Sequence, residues 1–341
     1  MTVNLDATSR LPTLEMVATA AGVSRATVSR VVNGSPKVRP DVQAVVQAAI
    51  EQLHYVPNRA ARSLVNRRTQ VIALIIPEDL AMFFGDPYFA AIMQGITRRL
   101  NASDYTLNLL VAASDPGNKA TRYLRSGNVD GALIVSHHTG DAFVAGVAGA
   151  LPLVFGGRPS IETTDAVYFV DVDNVAGAAD ATRYLVDAGH RRIGTITGPM
   201  DMPAGVDRYT GFTNVLTEAG LDSTAVEHAD FTTAGGVLAA NRLLDRYPDI
   251  DALFVASDLM AVGALQVLRE RGRSVPDDVA VVGFDDSPSA ASASVPLTTI
   301  RQPSEEAGYL MADGLLRLLA GDSTVTPHTI LPTTFVRRAS A

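Results

Sequence analysis

The stretch Thr13-Leu14-Glu15-Met16-Val17-Ala18 runs through Ala21-Gly22-Val23-Ser24 into Arg25-Ala26-Thr27-Val28-Ser29-Arg30-Val31-Val32-Asn33-Gly34, and it sets the plan of the chain. Thr13 can cap a helix over Leu14 to Ala21, with Leu14, Val17, Ala18 and Ala21 at helical spacing. Gly22 supplies a turn. Ser24 caps a second helix whose Val28, Val31 and Val32 face inward, which leaves Arg25, Ala26, Ser29 and Arg30 outside. Asn33-Gly34-Ser35-Pro36 ends it. A third helix is predicted from about Pro40 to Leu53, with Val42, Val45, Val46, Ala49, Ile50 and Leu53 as its core stripe. Two short helices joined by a glycine turn, with arginines on the outer face, are built to lay one helix in a DNA groove.

Such a three-helix unit is only marginally stable alone. His54-Tyr55-Val56-Pro57-Asn58 follows, then the basic segment Arg59 to Arg68, too short to hold a helix in isolation. It reads as a hinge that folds when bound.

Charge supports the division. The 341 residues carry a net −8, yet residues 1–68 hold nine Lys/Arg against four acids, a net of +5, leaving −13 for the rest. A basic head on an acidic body points to a phosphate-binding module joined to something else. The competing explanation is chance clustering on a solvated face. There are no cysteines, so disulfides, thiol nucleophiles and Cys-based metal sites are excluded. Residues 1–12 lack the apolar run of a signal peptide, and no stretch has the roughly 18 apolar residues of a membrane span. A cytoplasmic protein without membrane contact is expected.

From residue 70 the rhythm becomes strand and helix in alternation. Strands are predicted at Val71–Ile76, Thr106–Val111, Ala132–Val135, Leu153–Phe155, Arg192–Thr197, Val226–Asp230, Ala252–Val255 and Val279–Gly283. Helices are predicted at Tyr88–Leu100, Asn118–Arg125, Ala142–Ala150, Val175–Ala188, Gly205–Ala219, Gly235–Tyr247, Leu259–Arg271 and Glu305–Leu319. Alternation of this kind builds right-handed βαβ units, here as two doubly wound parallel-sheet α/β subdomains with a cleft between them. The boundary falls near Tyr168 to Asp173, and Thr298 to Gln302 crosses back. The domains are therefore read as head 1–57, hinge 58–69 and body 70–341. Within the body, the first subdomain takes 70–170 and 302–328, and the second takes 171–301 and 329–341.

Ligands of doubly wound sheets sit beyond the carboxyl ends of the strands. Those positions hold Asp86, Tyr88 and Phe89; Ser136, His137 and His138; Gly156, Gly157 and Arg158; then Arg208, Phe231, Ser257, Asp258, Asp285 and Asp286, with Gln302 at the crossover. Aromatic faces (Tyr88, Phe89, Phe231) can pack on a sugar ring. Arg158, Arg208 and Asp285 can hydrogen-bond vicinal hydroxyls. Structural alternatives compete: Asp258 as the N-cap before Leu259, Asp286 as a turn cap before Pro288, Phe231 as plain core. His137-His138 and Asp171-Val172-Asp173 lack a third ligand at metal spacing. No hydrolase, zinc-protease or phosphate-loop motif is present, so no enzyme, metal or cofactor is expected.

Residues 13–34 resemble the helix-turn-helix of the LacI/GalR family of bacterial repressors. The likeness continues through Tyr55-Val56-Pro57-Asn58, Ala60-Ala61-Arg62-Ser63-Leu64, Val129-Asp130-Gly131, Gly189-His190-Arg191-Arg192-Ile193, Ser257-Asp258-Leu259-Met260-Ala261, Val282-Gly283-Phe284-Asp285-Asp286 and Leu297-Thr298-Thr299-Ile300-Arg301-Gln302. The resemblance implies a homodimeric repressor whose recognition helices enter the major grooves of a palindromic operator. By position Arg25 and Ala26 would read bases, with Arg30 supporting. Ser24, Thr27, Ser29, Asn33 and Tyr55 would hold phosphates, and Thr13 also counts among the DNA-binding residues. Asn58 and Arg62 would anchor the hinge, Leu64 would wedge into the minor groove, and Ala61 also counts among the DNA-binding residues.

In the body, the resemblance puts Arg208 and Asp285 on the family's ligand-clasping pair, Phe231 on its stacking position, Gln302 on a crossover contact, and Tyr88 and Phe89 on the first-subdomain wall. Departures fall at Phe155-Gly156-Gly157-Arg158, where an Asp is common, and at Ser257, where several members have Asn. Leu14-Glu15-Met16-Val17-Ala18, Asn58-Arg59-Ala60-Ala61-Arg62, Phe84-Gly85-Asp86-Pro87-Tyr88-Phe89 and Phe155-Gly156-Gly157-Arg158-Pro159 resemble the cellobiose-responsive repressors of actinobacteria. That implies a short β-glucoside acting as inducer, by closing the cleft and unfolding the hinges. The family's appended tetramerising heptad helix is missing after Phe335, so a dimer is expected. Two other readings remain: a regulator of the same fold with a purine corepressor, and a sugar-binding transport protein, which the basic head opposes.

Overall fold

The computed structural model describes residues 12–56, 68–113, 118–147, 149–159 and 167–341. The chain divides into a head, Met1–Gln70, and a body, Val71–Ala341.

The head is three helices: α1 (Leu14–Ala21), α2 (Arg25–Val32) and α3 (Pro40–Gln52). Both predicted caps are in place, Thr13 accepting from the Met16 amide and Ser24 from the Thr27 amide. Gly22 adopts φ +64°, the left-handed turn between α1 and α2 that a side chain would resist. Val17, Ala18, Ala21, Val28, Val31, Val46, Ala49 and Tyr55 form the core. Val45, predicted in the core stripe, lies outside it. It is 51% exposed, because Val42, Val46 and Ala49 already cover the face of α3 toward α1 and α2.

The body holds two six-stranded sheets. The first has the order β11-β5-β4-β3-β1-β2, all parallel, with β1 (Val71–Ile76), β2 (Thr106–Val111), β3 (Gly131–Val135), β4 (Leu153–Gly156), β5 (Tyr168–Val172) and β11 (His328–Leu331). The second has the order β12-β10-β9-β8-β6-β7, with β6 (Ile193–Thr197), β7 (Val226–His228), β8 (Ala252–Val255), β9 (Ala280–Asp285), β10 (Thr298–Arg301) and β12 (Thr334–Val336). It is parallel except for β12, which runs antiparallel on the edge. The central strands are uninterrupted apolar runs because helices cover both sheet faces.

Two predicted boundaries fall inside strands. Tyr168–Val172 pairs in the first sheet beside β4, so the first crossing follows Val172 and not residue 170. Thr329, Ile330 and Leu331 pair with β5, so the last crossing lies between Leu331 and Thr334 and not at 328/329. The second crossing follows β10, as expected, and leads into the helix Ser304–Leu319.

The remaining helices are α4 (Leu80–Gly85), α5 (Pro87–Leu100), α6 (Lys119–Arg125), α7 (Ala142–Val147), α8 (Asn174–Asp187), α9 (Pro203–Glu218), α10 (Thr233–Arg246), α11 (Asp258–Glu270), α12 (Pro288–Ser292) and α13 (Ser304–Leu319). α13 returns the chain to the first lobe, where it packs on α5 backbone to backbone. A Cβ on Gly95 would lie 1.8 Å from the Glu305 carbonyl oxygen, and one on Gly308 would lie 2.1 Å from that of Ile92. No described helix is long and apolar enough to cross a membrane.

Candidate functional site

The strand ends of the two lobes enclose a cavity with about 840 Å³ of empty space, open solvent at its mouth included. Asp86, Tyr88, Ser136, His137, Arg158, Arg208, Phe231, Ser257, Asp285 and Gln302, all expected at a ligand, lie on its wall. Phe89 does not. It is 2% exposed and packs with Phe83 in the first-lobe core, one residue and so a quarter-turn around α5 from Tyr88.

Arg208 is the centre of the wall. It projects from α9, is 5% exposed, and donates from Nε to Asn174 Oδ1 at 2.9 Å and from Nη1 to the Ala256 carbonyl at 2.7 Å. Asp285 Oδ1 lies 3.5 Å from Nη1, and Gln302 donates to that same oxygen at 2.7 Å. The guanidinium lies over the Phe284 ring at 3.7 Å and near that of Phe231 at 5.7 Å. Burial draws the Arg208 pKa down, and the charges of Asp285 and Asp171 oppose it. Burial likewise raises Asp285, Asp171 and Asp86, each with Arg208 pulling back. One buried cation thus faces three carboxylates, an arrangement suited to gripping hydroxyl groups from both sides.

The backbone at these strand ends is itself unusual. Ser136, Phe231 and Asp285 have φ of +57°, +63° and +113°, a region that side chains resist. Such conformations collect where a fold has to aim a side chain into a site.

Sequence reasoning missed part of the wall. Asp171, considered there only as a metal ligand and discounted, lines the cavity and accepts from the Arg158 amide, the Val172 amide and Asn174 Nδ2. Asn174, Met202 and Ala307 line it as well. Arg158 lines it too, but its Nη2 reaches both oxygens of Asp207 at 2.7 Å, from the first lobe to the second. A second interlobe link is built on His138. Its Nδ1 lies 2.9 Å from Asp201 Oδ2 and its Nε2 lies 3.1 Å from Glu78 Oε1. Hydrogen bonds donated to the Glu78 and Asp201 carboxylates hold the His138 pKa up to about 9, against burial. Thr139 adds two donations to the Asp201 carbonyl. Ser136 donates to Glu78.

Two expected caps have other roles. Ser257 is the N-cap of α11, accepting from the Met260 amide. Asp258 is buried behind it and accepts from Thr299 Oγ1 and the Ser287 amide. Asp286 pairs with Arg301 and Arg338 and does not cap the turn before Pro288. Among the described residues no cluster of metal-ligating side chains is found.

In the head, Ser24, Arg25, Ala26, Arg30 and Asn33 are exposed, and Thr27 and Ser29 are half-buried beside them. Arg25 pairs with Glu15 at 2.9 Å, an exposed contact that costs little to exchange for another partner. Thr13 is occupied as a cap. Tyr55, expected at a phosphate, has its ring in the head core at 7% exposure. Asn58, Ala61, Arg62 and Leu64 lie outside the described residues.

Residues 13–58 match the family model of bacterial regulatory proteins of the lacI family, and residues 182–341 match a periplasmic binding protein-like domain. The HTH-type transcriptional regulator CelR of Thermobifida fusca is 46% identical over 97% of this chain and 98% of its own length. Among solved structures, a transcriptional regulator CelR–cellobiose complex superposes with a TM-score of 0.78 at 43% identity, over 97% of this chain and all of that one. The lac repressor dimer bound to operator and the anti-inducer ONPF superposes with 0.85 at 27% identity, covering 97% of this chain and 99% of that one.

Proposed function

Because the chain belongs to the LacI family of bacterial transcriptional regulators, we propose that it is a homodimeric repressor whose hold on a palindromic operator is released by cellobiose or a related β-glucoside. Arg25 and Ala26 on α2 would meet base edges in the major groove, Arg30 would assist, and Ser24, Thr27, Ser29 and Asn33 would hold phosphates. The likeness to an operator-bound repressor dimer supports this half of the reading. The protein would work in the cytoplasm and would carry out no catalysis.

The observation that carries the ligand half is the Arg208 constellation: a buried guanidinium between Asp285 and Asn174, stacked on Phe284, with Phe231 alongside. Vicinal hydroxyls satisfy a guanidinium and a carboxylate together, while an aromatic face takes the C–H side of the ring. The likeness to a cellobiose-bound relative supports the choice of sugar. The sugar can shift the operator equilibrium only by its preference for one cleft state over the other, typically about 1–3 kcal/mol of coupling. Calorimetric titration with cellobiose, glucose and hypoxanthine tests the ligand. Saturable binding of cellobiose is expected. Binding of the purine alone would overturn the reading.

A further inference from the structure

Resting on the operator reading above, we propose that Glu15 is a positioning residue for base recognition: from α1 it holds the Arg25 guanidinium by its Nε side, so that Nη1 and Nη2 are presented together to a guanine. The ion pair that carries this joins Arg25 Nε to Glu15 Oε1 at 2.9 Å, between the first turns of two different helices. Contact through Nε leaves the two terminal nitrogens, which make no hydrogen bond among the described residues. Those are two donors in a rigid fork, the pattern that fits the O6 and N7 acceptors of guanine in the major groove.

Glu15 is itself held. Hydrogen bonds from its own backbone amide and from the Thr13 hydroxyl keep its carboxyl below the usual range, so it stays ionised. Thr13 is in turn fixed as the cap of α1, where it accepts from the Met16 amide. Support therefore runs from a capped helix end, through Glu15, to the side chain that reads the base. A lone surface arginine samples many rotamers, and ordering it on DNA costs free energy. A carboxylate that already favours the reading geometry reduces that cost.

The sign of the charge is a second observation. The side chains of Glu15 and Arg25 are 60% and 73% exposed, and Ser24, Ala26 and Arg30 on α2 and its cap are exposed with them. A carboxylate on the face that meets DNA opposes the phosphates and weakens binding to every sequence. That cost is offset where Arg25 finds its guanine and stands uncompensated elsewhere, so the acid widens the gap between right and wrong sites. In water the pair is weak and exchangeable. In a groove that excludes water the attraction grows, and Arg25 need not leave Glu15, because guanine takes Nη1 and Nη2.

The test is fluorescence anisotropy with the full chain on three duplexes: a palindromic operator selected from random DNA, the same operator with one base pair changed in both half-sites, and unrelated DNA. The changed pair is the one at which Arg25→Ala loses its preference. Wild type, Glu15→Ala, Glu15→Gln, Arg25→Ala and the double variant are compared. Glu15→Ala should lower the preference for guanine about three- to tenfold, a part of the roughly 5- to 150-fold that a bidentate arginine supplies. On unrelated DNA it should bind at least as tightly as wild type. Glu15→Gln loses the charge but keeps an acceptor, and should retain more of the preference than Glu15→Ala. On an Arg25→Ala background, Glu15→Ala should change the preference no further. An undiminished preference in Glu15→Ala would overturn the inference. So would a loss that persists on the Arg25→Ala background, because Glu15 would then read the base pair itself. Weaker binding to all three duplexes alike, with a lowered melting temperature, would overturn it by assigning Glu15 to the fold. Arg25→Ala without effect at any base pair would overturn it as well. If wild type selects no sequence at all, the operator reading falls and this inference with it.

Discussion

Replacing Arg208 by Met removes a buried cation while keeping most of its volume. Asn174 and the Ala256 carbonyl lose their donor, and Asp285 loses the charge that balances it. Breaking one side of a buried pair typically costs 3–5 kcal/mol. Here the penalty has a ceiling, because Asp285 can escape by taking up a proton. Starting from an ordinary carboxyl pKa of about 3.9, that costs about 4 kcal/mol at pH 7 and about 1.5 kcal/mol at pH 5. Burial already raises Asp285, and Arg208 is the largest opposing influence, so its removal raises the group further.

A carboxyl whose folded pKa is raised stabilises the fold least above that pKa and regains stability as the pH falls toward its unfolded value. The Arg208→Met penalty should therefore shrink between pH 7 and pH 5, by at most about 2–3 kcal/mol, because the raised Asp285 of the wild type recovers part of the same stability. Urea unfolding of the body, followed by circular dichroism at both pH values, measures it. Adding Asp285→Asn to Arg208→Met should restore much of the loss at pH 7 and remove its pH dependence. A penalty equal at both pH values, or a further loss on adding Asp285→Asn, would refute the claim that the two form a buried ion pair.

The other interlobe and interhelical contacts make similar demands. His138, raised to about 9, contributes stability that is fully present below its unfolded value near 6.5 and is lost as the pH climbs through 9. Because His138 and Asp201 are partly exposed, solvent screening leaves about 1–2 kcal/mol. Thermal melts from pH 6.5 to 9.5 should show this decline in wild type and a flatter profile in His138→Gln. Gly95→Ala forces a Cβ against the Glu305 carbonyl, and should cost about 1–3 kcal/mol in urea unfolding by prising α5 from α13. Arg25→Ala should cost about 1–3 kcal/mol of operator affinity and relax preference at one base pair, read by binding to a set of single-base operator variants.

Much of this structure was legible in the residues because its strongest signals are local. The runs Val71–Ile76 and Ala252–Val255 came out at their predicted bounds, since a buried parallel strand is apolar on both faces. The caps at Thr13 and Ser24 depend on contacts three residues away and were equally readable. Tyr168–Val172 has Asp171 interrupting its apolar run and sits where the chain changes lobes, so it read as a boundary and not as a strand. α4 has six residues, less than two turns, and leaves little periodic trace.

The site divides in the same way. The strand ends bring most of the expected residues to the cavity wall, because the topology gathers them there. Which of Tyr88 and Phe89 faces the cavity depends on how α5 is rotated in its packing. The pairing of Arg158 with Asp207, and of His138 with Glu78 and Asp201, joins residues about 50 to 60 apart in the chain, a separation that no local pattern announces.

The central claim, that a sugar in the body governs the hold of the head on DNA, is tested most directly by fluorescence anisotropy. The full chain is bound to a labelled palindromic duplex selected from random DNA and is then titrated with cellobiose. The account predicts a saturable weakening of operator affinity of roughly 5- to 150-fold, with a midpoint that matches calorimetric filling of the cavity. Operator affinity unchanged, or strengthened, at cellobiose concentrations that fill the cavity would contradict it.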